Sequence, residues 1–415
     1  MTDIEVHIDL PGGLERVGTL RRTPRRAGET VVFEYHADWL ADPDRFSLEP
    51  ALAVGPGPFV PVAGQSFFGS IGDSAPDTWG RRLMQRAERR RAAIERRPVR
   101  ALSEADYLLG VADLARLGAL RFRNVGEEVF QAPIAAGVPG LIELGRLLGV
   151  TERILRDEET DEDLQLIFAP GSSLGGARPK ASVMDQHGRL SIAKFPKETD
   201  DYSVERWEAI AFDLARAAGI RTPDHELLEA SGRAVLLSRR FDRDGDHRIP
   251  FLSALSMMGL RDGEHASYPE LSDVLNQHGA RAREDAAELF RRMAFNVLIS
   301  NVDDHLRNHG FLWLGRGGWT LSPAYDLNPT PADVRPRILI TTIEVDDGTC
   351  DIGLVLSVAG YFGLGDAAAK AIVKVVGEAT AGWRRAAEAA GARPAEIRRM
   401  ESAFQHADLQ RALAL

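Results

Sequence analysis

The chain has 415 residues, of which 44% are hydrophobic and 27% charged, and a net charge of −10. That length exceeds a single hydrophobic core and implies two or three domains, while the acidic balance argues against nucleic-acid binding through the overall field and leaves only a local basic patch. One cysteine, Cys350, excludes an intramolecular disulfide and a cysteine-rich zinc site.

The opening "MTDIEVHIDLPGG" lacks a basic region followed by an apolar core, and no apolar run approaches the ~20 residues of a bilayer span. The expectation is a cytoplasmic protein with no membrane partner. Residues 1 to about 65 read as strands and turns: "EVHIDL", "GTLRR" and "TVVFEYH", then the Gly/Pro-rich "VGPGPFVPVAG". In "GDSAPDTWGRRLMQRAERRRAAIERRP", Asp77 or Ser74 can cap a helix, and Pro98 ends it. Its arginines, Arg81 to Arg100, read as a solvated helix face, with a nucleic-acid or partner surface as the alternative. "SEADYLLGVADLARLGALRF" starts with capping-box spacing at Ser103 and Asp106. A subdomain of strands then helices is expected over 1–126. A connector over 127–165 follows, containing the helical "LIELGRLLGVTERILRDEETDEDL", whose acidic end reads as mobile.

The next module, 166–255, carries the loop "GSSLGGARPK", two strands around the turn "DQHG", and the helix "SVERWEAIAFDLARAAGI" closed by Gly219. The strand "RAVLLSRRFDR" follows. A mostly helical lobe is expected over 256–415, interrupted at 310–325. The fold class is therefore α+β.

The chemistry concentrates in "NVDDHLRNHG", after a helix with an apolar stripe at Ala286, Leu289, Phe290, Met293, Val297 and Leu298. Acids and amides there suit caps and turns. His305 and His309 stand four apart, but the zinc-protease motif needs Glu where Leu306 stands. Asp303 and Asn308 have the spacing of a phosphotransfer loop, in which a carboxylate orients the attacking hydroxyl and an amide holds magnesium. "GFLWLGRGGWTLSPAYD" then reads as a hairpin that returns a second carboxylate, Asp326, towards the same ion. Upstream, the Gly loop can cradle phosphates with backbone amides, although Ala177 and Arg178 replace the Lys-Ser/Thr pair of a nucleotide-hydrolase loop. Lys194 shares a strand face with Leu190 and Ile192, so it needs a partner or a ligand. Glu208, inside a helix stripe with Val204, Ala211 and Ala215, is the candidate ion-pair partner, and Glu205 is the alternative.

With these motifs in order, the sequence resembles the HipA-type kinases, toxins of bacterial toxin–antitoxin pairs. The resemblance rests on "APDTWGRRL", "DYLLGVADLARLGALRF", "SSLGGARPKA", "AKFP", "RRFDR", "NVDDHLRNHGFL" and "LSPAYDLNP". It implies a kinase-like two-lobed fold with an added N-terminal subdomain and an all-helical C-terminal lobe. It also implies ATP- and magnesium-dependent phosphorylation of a protein serine or threonine, with an aminoacyl-tRNA synthetase as a candidate acceptor. Asp303 is then the base, and Asn308 and Asp326 are the metal ligands. The ATP contacts are Lys194, Ser173, Gly175, Gly176, Ala177, Lys180, His305 and Tyr325, with Phe241 beside the adenine. Autophosphorylation falls on Ser173 or its neighbour Ser172. The family's loops often carry a small residue after the catalytic Asp, so Asp304 competes with Asp303 as base. The implied partner is a HipB-like helix-turn-helix antitoxin, which supplies the DNA contact. A small-molecule phosphotransferase and a nucleotide-binding co-regulator scaffold are the alternatives.

Overall fold

A computed structural model of the chain describes residues 2–25, 28–132, 138–168 and 176–415. The chain divides into two compact units. Unit 1 comprises residues 1–198, 230–233 and 237–252, and unit 2 comprises 199–229, 234–236 and 253–415. Among the described residues, no helix is long and apolar enough to cross a membrane.

Unit 1 opens with strands β1 (Ile4–Leu10), β2 (Gly13–Arg25) and β3 (Gly28–Tyr35). Two more, β4 (Pro58–Phe59) and β5 (Leu120–Asn124), complete an antiparallel sheet of order β4-β3-β2-β1-β5. Strand β1 alternates as a half-buried strand should. Ile4, Val6 and Ile8 are fully buried, while Glu5 and His7 point to the other face. That face is covered too: Arg123 donates to Glu5 at 2.6 Å, and the His7 ring meets Phe130 edge-on.

Helix α1 (Thr78–Ile94) starts at Asp77, whose side chain accepts from the Gly80 amide at 2.7 Å. Helix α2 (Glu104–Gly110) carries the capping box of Ser103 and Asp106. The connector folds into α3 (Leu144–Leu155) and α4 (Asp161–Phe168). These pack on α1 in one apolar cluster of Trp79, Leu83, Val150, Ile154, Leu164 and Ile167.

Two expectations are refined here. The arginine run is solvated along much of its length, with Arg82, Arg89, Arg91, Arg96 and Arg100 exposed, but it is not only a solvated face, and the acidic run is not unpartnered, because ion pairs join the two. Arg86 lies 2.6 Å from Asp157 and 3.0 Å from Glu159, and Arg90 lies 3.1 Å from Asp161. Further ion pairs join Arg81 to Glu104, Arg97 to Glu88, and Arg100 to Asp106. Sequence distance hid the match, since the two runs are some 70 residues apart.

Strands β6 (Lys180–Met184) and β7 (Leu190–Lys194) form the expected hairpin over Asp185–Gly188, with Lys180 directly opposite Lys194. Strands β8 (His225–Ala230) and β9 (Arg233–Arg239) follow, joined by Ser231 and Gly232, both with positive φ. This is the two-residue turn that matches strand twist. Beyond β9, "RRFDR" proves to be an ion cluster. Asp242 is completely buried and receives Arg240 at 2.6 and 2.5 Å, Arg243 at 2.7 Å and the Gly118 amide at 2.7 Å. Arg240 also donates to the carbonyls of Ala115 and Arg116. The "RRFDR" and "ADLARLG" segments are therefore halves of one clasp. Gly118 has φ +74, and a Cβ there would stand 3.2 Å from the Phe251 nitrogen, so glycine is required. Burial by itself would raise the Asp242 pKa, but Arg240, Arg243 and the amide hold it well below the ordinary carboxylate range.

Unit 2 is mainly helical: α5 (Val204–Ala217), α6 (Tyr268–His278), α7 (Ala282–Leu298), α8 (Asp366–Ala381) and α9 (Ala407–Leu413) are its principal helices. The predicted stripe on α7 is buried, and so are Ala294 and Phe295, because helices or loops cover α7 on nearly every side. Strands β10 (Gly310–Trp313) and β11 (Trp319–Leu321) pair antiparallel. The non-helical interruption runs further than expected. Residues 322–350 contain no helix or strand, in keeping with Pro323, Pro329, Pro331 and Pro336. The core near the C-terminus stacks Trp383 on Phe404, with centroids 4.8 Å apart, and Trp207 tilts against both. Cys350 is buried, which pushes its thiol up to about 12 and leaves it inert at neutral pH.

Replacing Asp242 by Ala should destabilise the protein by about 3–5 kcal/mol in urea unfolding, because it strands two buried guanidinium groups. A second prediction concerns His406, which caps α9 through Nδ1 and faces the Leu298 carbonyl through Nε2 at 3.1 Å. Burial and Arg337 depress its pKa from 6.5 to about 4. The unfolded chain therefore binds the proton first, and stability is lost as pH falls below 6.5. The loss should be roughly 2 kcal/mol by pH 5, and the part due to this residue should vanish in His406→Asn, read by unfolding at pH 7 and pH 5.

Candidate active site

Helix α7 ends at Leu298, and the chain turns sharply through Ser300, a non-glycine residue at φ 54. Three groups hold that turn. Ser300 donates its hydroxyl to the Ala403 carbonyl at 2.8 Å, Arg337 reaches Ser300 and the Val297 carbonyl, and the Thr330 amide donates to the Ser300 carbonyl. The loop 301–309 follows.

Within it the two adjacent acids separate. Asp304 is 2% exposed. It accepts from the Tyr268 hydroxyl and lies 2.9 Å from His309 Nε2, while its carbonyl accepts from the Thr341 amide. Asn296 donates to the Tyr268 oxygen, and Asn301 donates to Asn296, closing a buried polar chain. Burial and the neighbouring carboxylate push the Tyr268 phenol well above its ordinary pKa, so it stays a donor. Asp303 points the other way, with its side chain about half exposed (51%) and 2.8 Å from Arg335. That ion pair is exposed on both sides and is worth about 0–1 kcal/mol, so an incoming group displaces it easily. Of the two acids, Asp303 alone is accessible for chemistry.

The Asn308 amide donates to the Asp303 carbonyl at 3.1 Å, which orients the Asn308 oxygen and fixes the loop's span. Asp326 belongs to a segment laid along this loop. Tyr325, the residue before it, donates its hydroxyl to the Arg307 carbonyl at 2.7 Å, and the Asn328 amide donates to Asn301 Oδ1 at 3.2 Å. Asp326 has φ 54, a left-handed conformation uncommon for non-glycine residues and enriched at functional sites. The flanking hydrogen bonds over-determine it. Asp303, Asn308, Asp326, His305 and Tyr325 thus lie on two adjoining loops of unit 2. Among the described residues, no group of three or more His, Cys, Asp or Glu could hold a metal ion. An Asn and an Asp are nonetheless the kind of sparse donor set magnesium uses when phosphate oxygens and waters complete its shell.

The remaining predicted residues lie as follows. Ser172, Ser173 and Gly175 fall outside the described residues. Gly176 has φ +102. Ala177 is exposed. Lys194 is at the end of β7 in unit 1, on the half-exposed side of the strand. Ser191 and Ala193 face the buried side. Glu208 and Glu205 are both buried on α5 in unit 2. Phe241, in unit 1, packs against Phe251. Lys180, expected among the ATP contacts, is buried and its ammonium is 2.9 Å from Asp77. Sequence reasoning missed Arg335, Tyr268 and the Asp77–Lys180 pair. Only Tyr268 had a signal, as an aromatic residue starting a capped helix.

A family model described as the HipA-like C-terminal domain matches residues 172–402, more than half of the chain. The chain belongs to the HipA-like family. A relative of Sinorhizobium fredii (strain NBRC 101917 / NGR234) named "Putative kinase Y4mE" is 26% identical over 401 residues, spanning 85% of this chain and 88% of its own. A Haemophilus influenzae protein named "Putative kinase" is 24% identical over 196 residues, 41% of this chain and 57% of its own. Among solved structures, the Shewanella oneidensis HipA, in a toxin–antitoxin complex with HipB and its operator DNA, aligns with a TM-score of 0.65 at 17% identity. The alignment covers 99% of this chain and 96% of that one. This HipA-like chain therefore has the HipA fold, a mixed helix-and-sheet architecture.

The separation of the two acids makes a sharp prediction. Asp304→Ala should cost at least about 2 kcal/mol in denaturant unfolding, because Tyr268 and His309 lose a buried partner. Asp303→Ala should stay within about 0.5 kcal/mol of the parent. Equal effects would mean that the loop is not built around Asp304.

Proposed function

We propose that this chain is an ATP- and magnesium-dependent kinase of a protein serine or threonine, acting as the toxin of a toxin–antitoxin pair. The observation that carries this reading is the pairing of an exposed Asp303 with Asn308 and the left-handed Asp326 on hydrogen-bonded loops. The family membership and relatives named as kinases support it. Asp303 accepts and orients the acceptor hydroxyl. Asn308 and Asp326 would hold the metal, and His305 and Tyr325 line the loop. Bound magnesium would neutralise charge on the nucleotide's phosphates. Lys194 is assigned to the ATP phosphates, with Gly176, Ala177 and the loop before them, and Phe241 to the adenine. Phosphoryl transfer asks a protein mainly for positioning and charge, which a rigid loop with one accessible carboxylate provides.

Autophosphorylation at Ser172 or Ser173 is the proposed regulation, and a translation component such as an aminoacyl-tRNA synthetase is the proposed acceptor. The solved HipA relative is bound to HipB and DNA. A HipB-like helix-turn-helix antitoxin is accordingly the proposed partner here, with DNA engaged through it. That division suits an acidic chain whose basic helix is engaged by its own carboxylates.

Radiolabelled ATP should mark this protein or a lysate protein. Asp303→Ala should lower the rate by about 10²–10⁴-fold, and Asp326→Ala should abolish transfer without unfolding the chain. Growth arrest that survives Asp303→Ala would instead favour a nucleotide-binding scaffold. Transfer only to a small molecule would make the chain a small-molecule phosphotransferase.

A further inference from the structure

The front helix α1 begins on the segment that leaves the Gly loop. Asp77 divides its carboxylate between two tasks. One is the cap on the Gly80 amide, at 2.7 Å. The other is an ion pair from Oδ2 to Lys180 Nζ at 2.9 Å, with both side chains only 4% exposed. Two residues on, Trp79 grips both ends of Gly176–Lys180. Its backbone amide donates to the Gly176 carbonyl at 3.3 Å, and its indole Nε1 donates to the Lys180 carbonyl at 3.1 Å. Trp79 is itself fixed in the α1–α3–α4 core. Gly176 sits at φ +102, where a Cβ would come within 3.1 Å of Lys180 Nζ.

The β6–β7 register explains why such a clasp is needed. Lys180 stands directly opposite Lys194, the residue assigned to the ATP phosphates. Like charges opposite one another repel, and a buried ammonium without a counter-ion is unfavourable. Asp77 draws the Lys180 ammonium towards α1 and neutralises it there. Without Asp77, Lys180 must move towards water or towards Lys194, and Gly176, hung on the same short segment, moves with it.

We propose that Asp77 and Trp79, in the motif "APDTWG", are positioning residues for the phosphate-binding side of the nucleotide site. Acting through Lys180 and Gly176, they set the affinity for ATP. This role rests on the kinase reading above. It assigns work to a front-domain motif that carries no reactive group of its own, and it makes the N-terminus of α1 part of the nucleotide machinery.

The test uses the full chain, with MgATP as the probe. Asp77→Asn keeps an acceptor for the Gly80 amide and removes only the charge. It should raise both the KM for ATP and the Kd for a fluorescent ATP analogue by about fivefold or more, the size of one weakened buried ionic contact, while kcat at saturating ATP stays within about twofold. Adding Lys180→Met, which removes the stranded ammonium, should restore both constants to within about threefold of the parent. Trp79→Phe keeps the packed ring and deletes the indole donor, and should raise the KM in the same direction. An unchanged KM in folded Asp77→Asn overturns the role, as does a rise that Lys180→Met fails to reverse. If Asp77→Asn does not fold, an unchanged KM in Trp79→Phe decides against it. A parent chain that binds and transfers from ATP while these variants behave like it rejects the positioning role alone. A parent chain that does neither rejects the kinase reading and this role with it.

Discussion

The candidate site depends on a carboxylate that solvent does not reach. Asp304 is held between Tyr268 and His309 under the loop that carries Asp303. A buried acceptor held by a hydroxyl and a backbone amide is rigid, because moving it strands those buried donors. Asp303, one residue earlier, is thereby aimed outward and kept on a fixed backbone. The same polar chain reaches Asn301, which receives the Asn328 amide, so the loop of Asp326 is registered against the loop of Asp303. Two acids adjacent in sequence do opposite work: one builds the loop and the other is presented by it.

Unit 1 is organised by charge compensation of a different kind. The arginine-rich α1 lies against acids from the connector, and Arg240 and Arg243 lie against the fully buried Asp242. Single exposed pairs of this sort contribute little, but Asp242 and the Asp77–Lys180 pair are withdrawn from water, where loss of one partner is expensive. These buried pairs join segments far apart in the chain: 77 with 180, and 118 with 242. They make the front motifs inseparable from the strands that follow the Gly loop.

Much of this was legible in advance where the signal is local. The Asp77 cap, the Ser103–Asp106 capping box, the hairpin over Asp185–Gly188 and the buried stripe of α7 all follow from short-range rules, and all stand. The hairpin leading to Asp326 was readable too, and the structure sets its loop against that of Asp303 and Asn308, the spacing from which the catalytic proposal starts. What was not legible was pairing over distance. The Arg81–Arg100 run and the acidic 156–163 run are both largely exposed, yet ion pairs join them, which neither segment shows when judged alone. Lys180 is expected among the ATP contacts from the family likeness, and the structure adds a counter-ion no local pattern shows, the distant Asp77.

The amino-acid sequence by itself determined the local elements and the family likeness and singled out the candidate reactive side chains, since these reside in periodicity, caps and fixed spacings of a few residues. Only the tertiary structure decided which of Asp303 and Asp304 is presented to solvent, and which partner neutralises Lys180. Those outcomes depend on burial and on contacts between residues tens of positions apart, and a one-dimensional pattern carries neither.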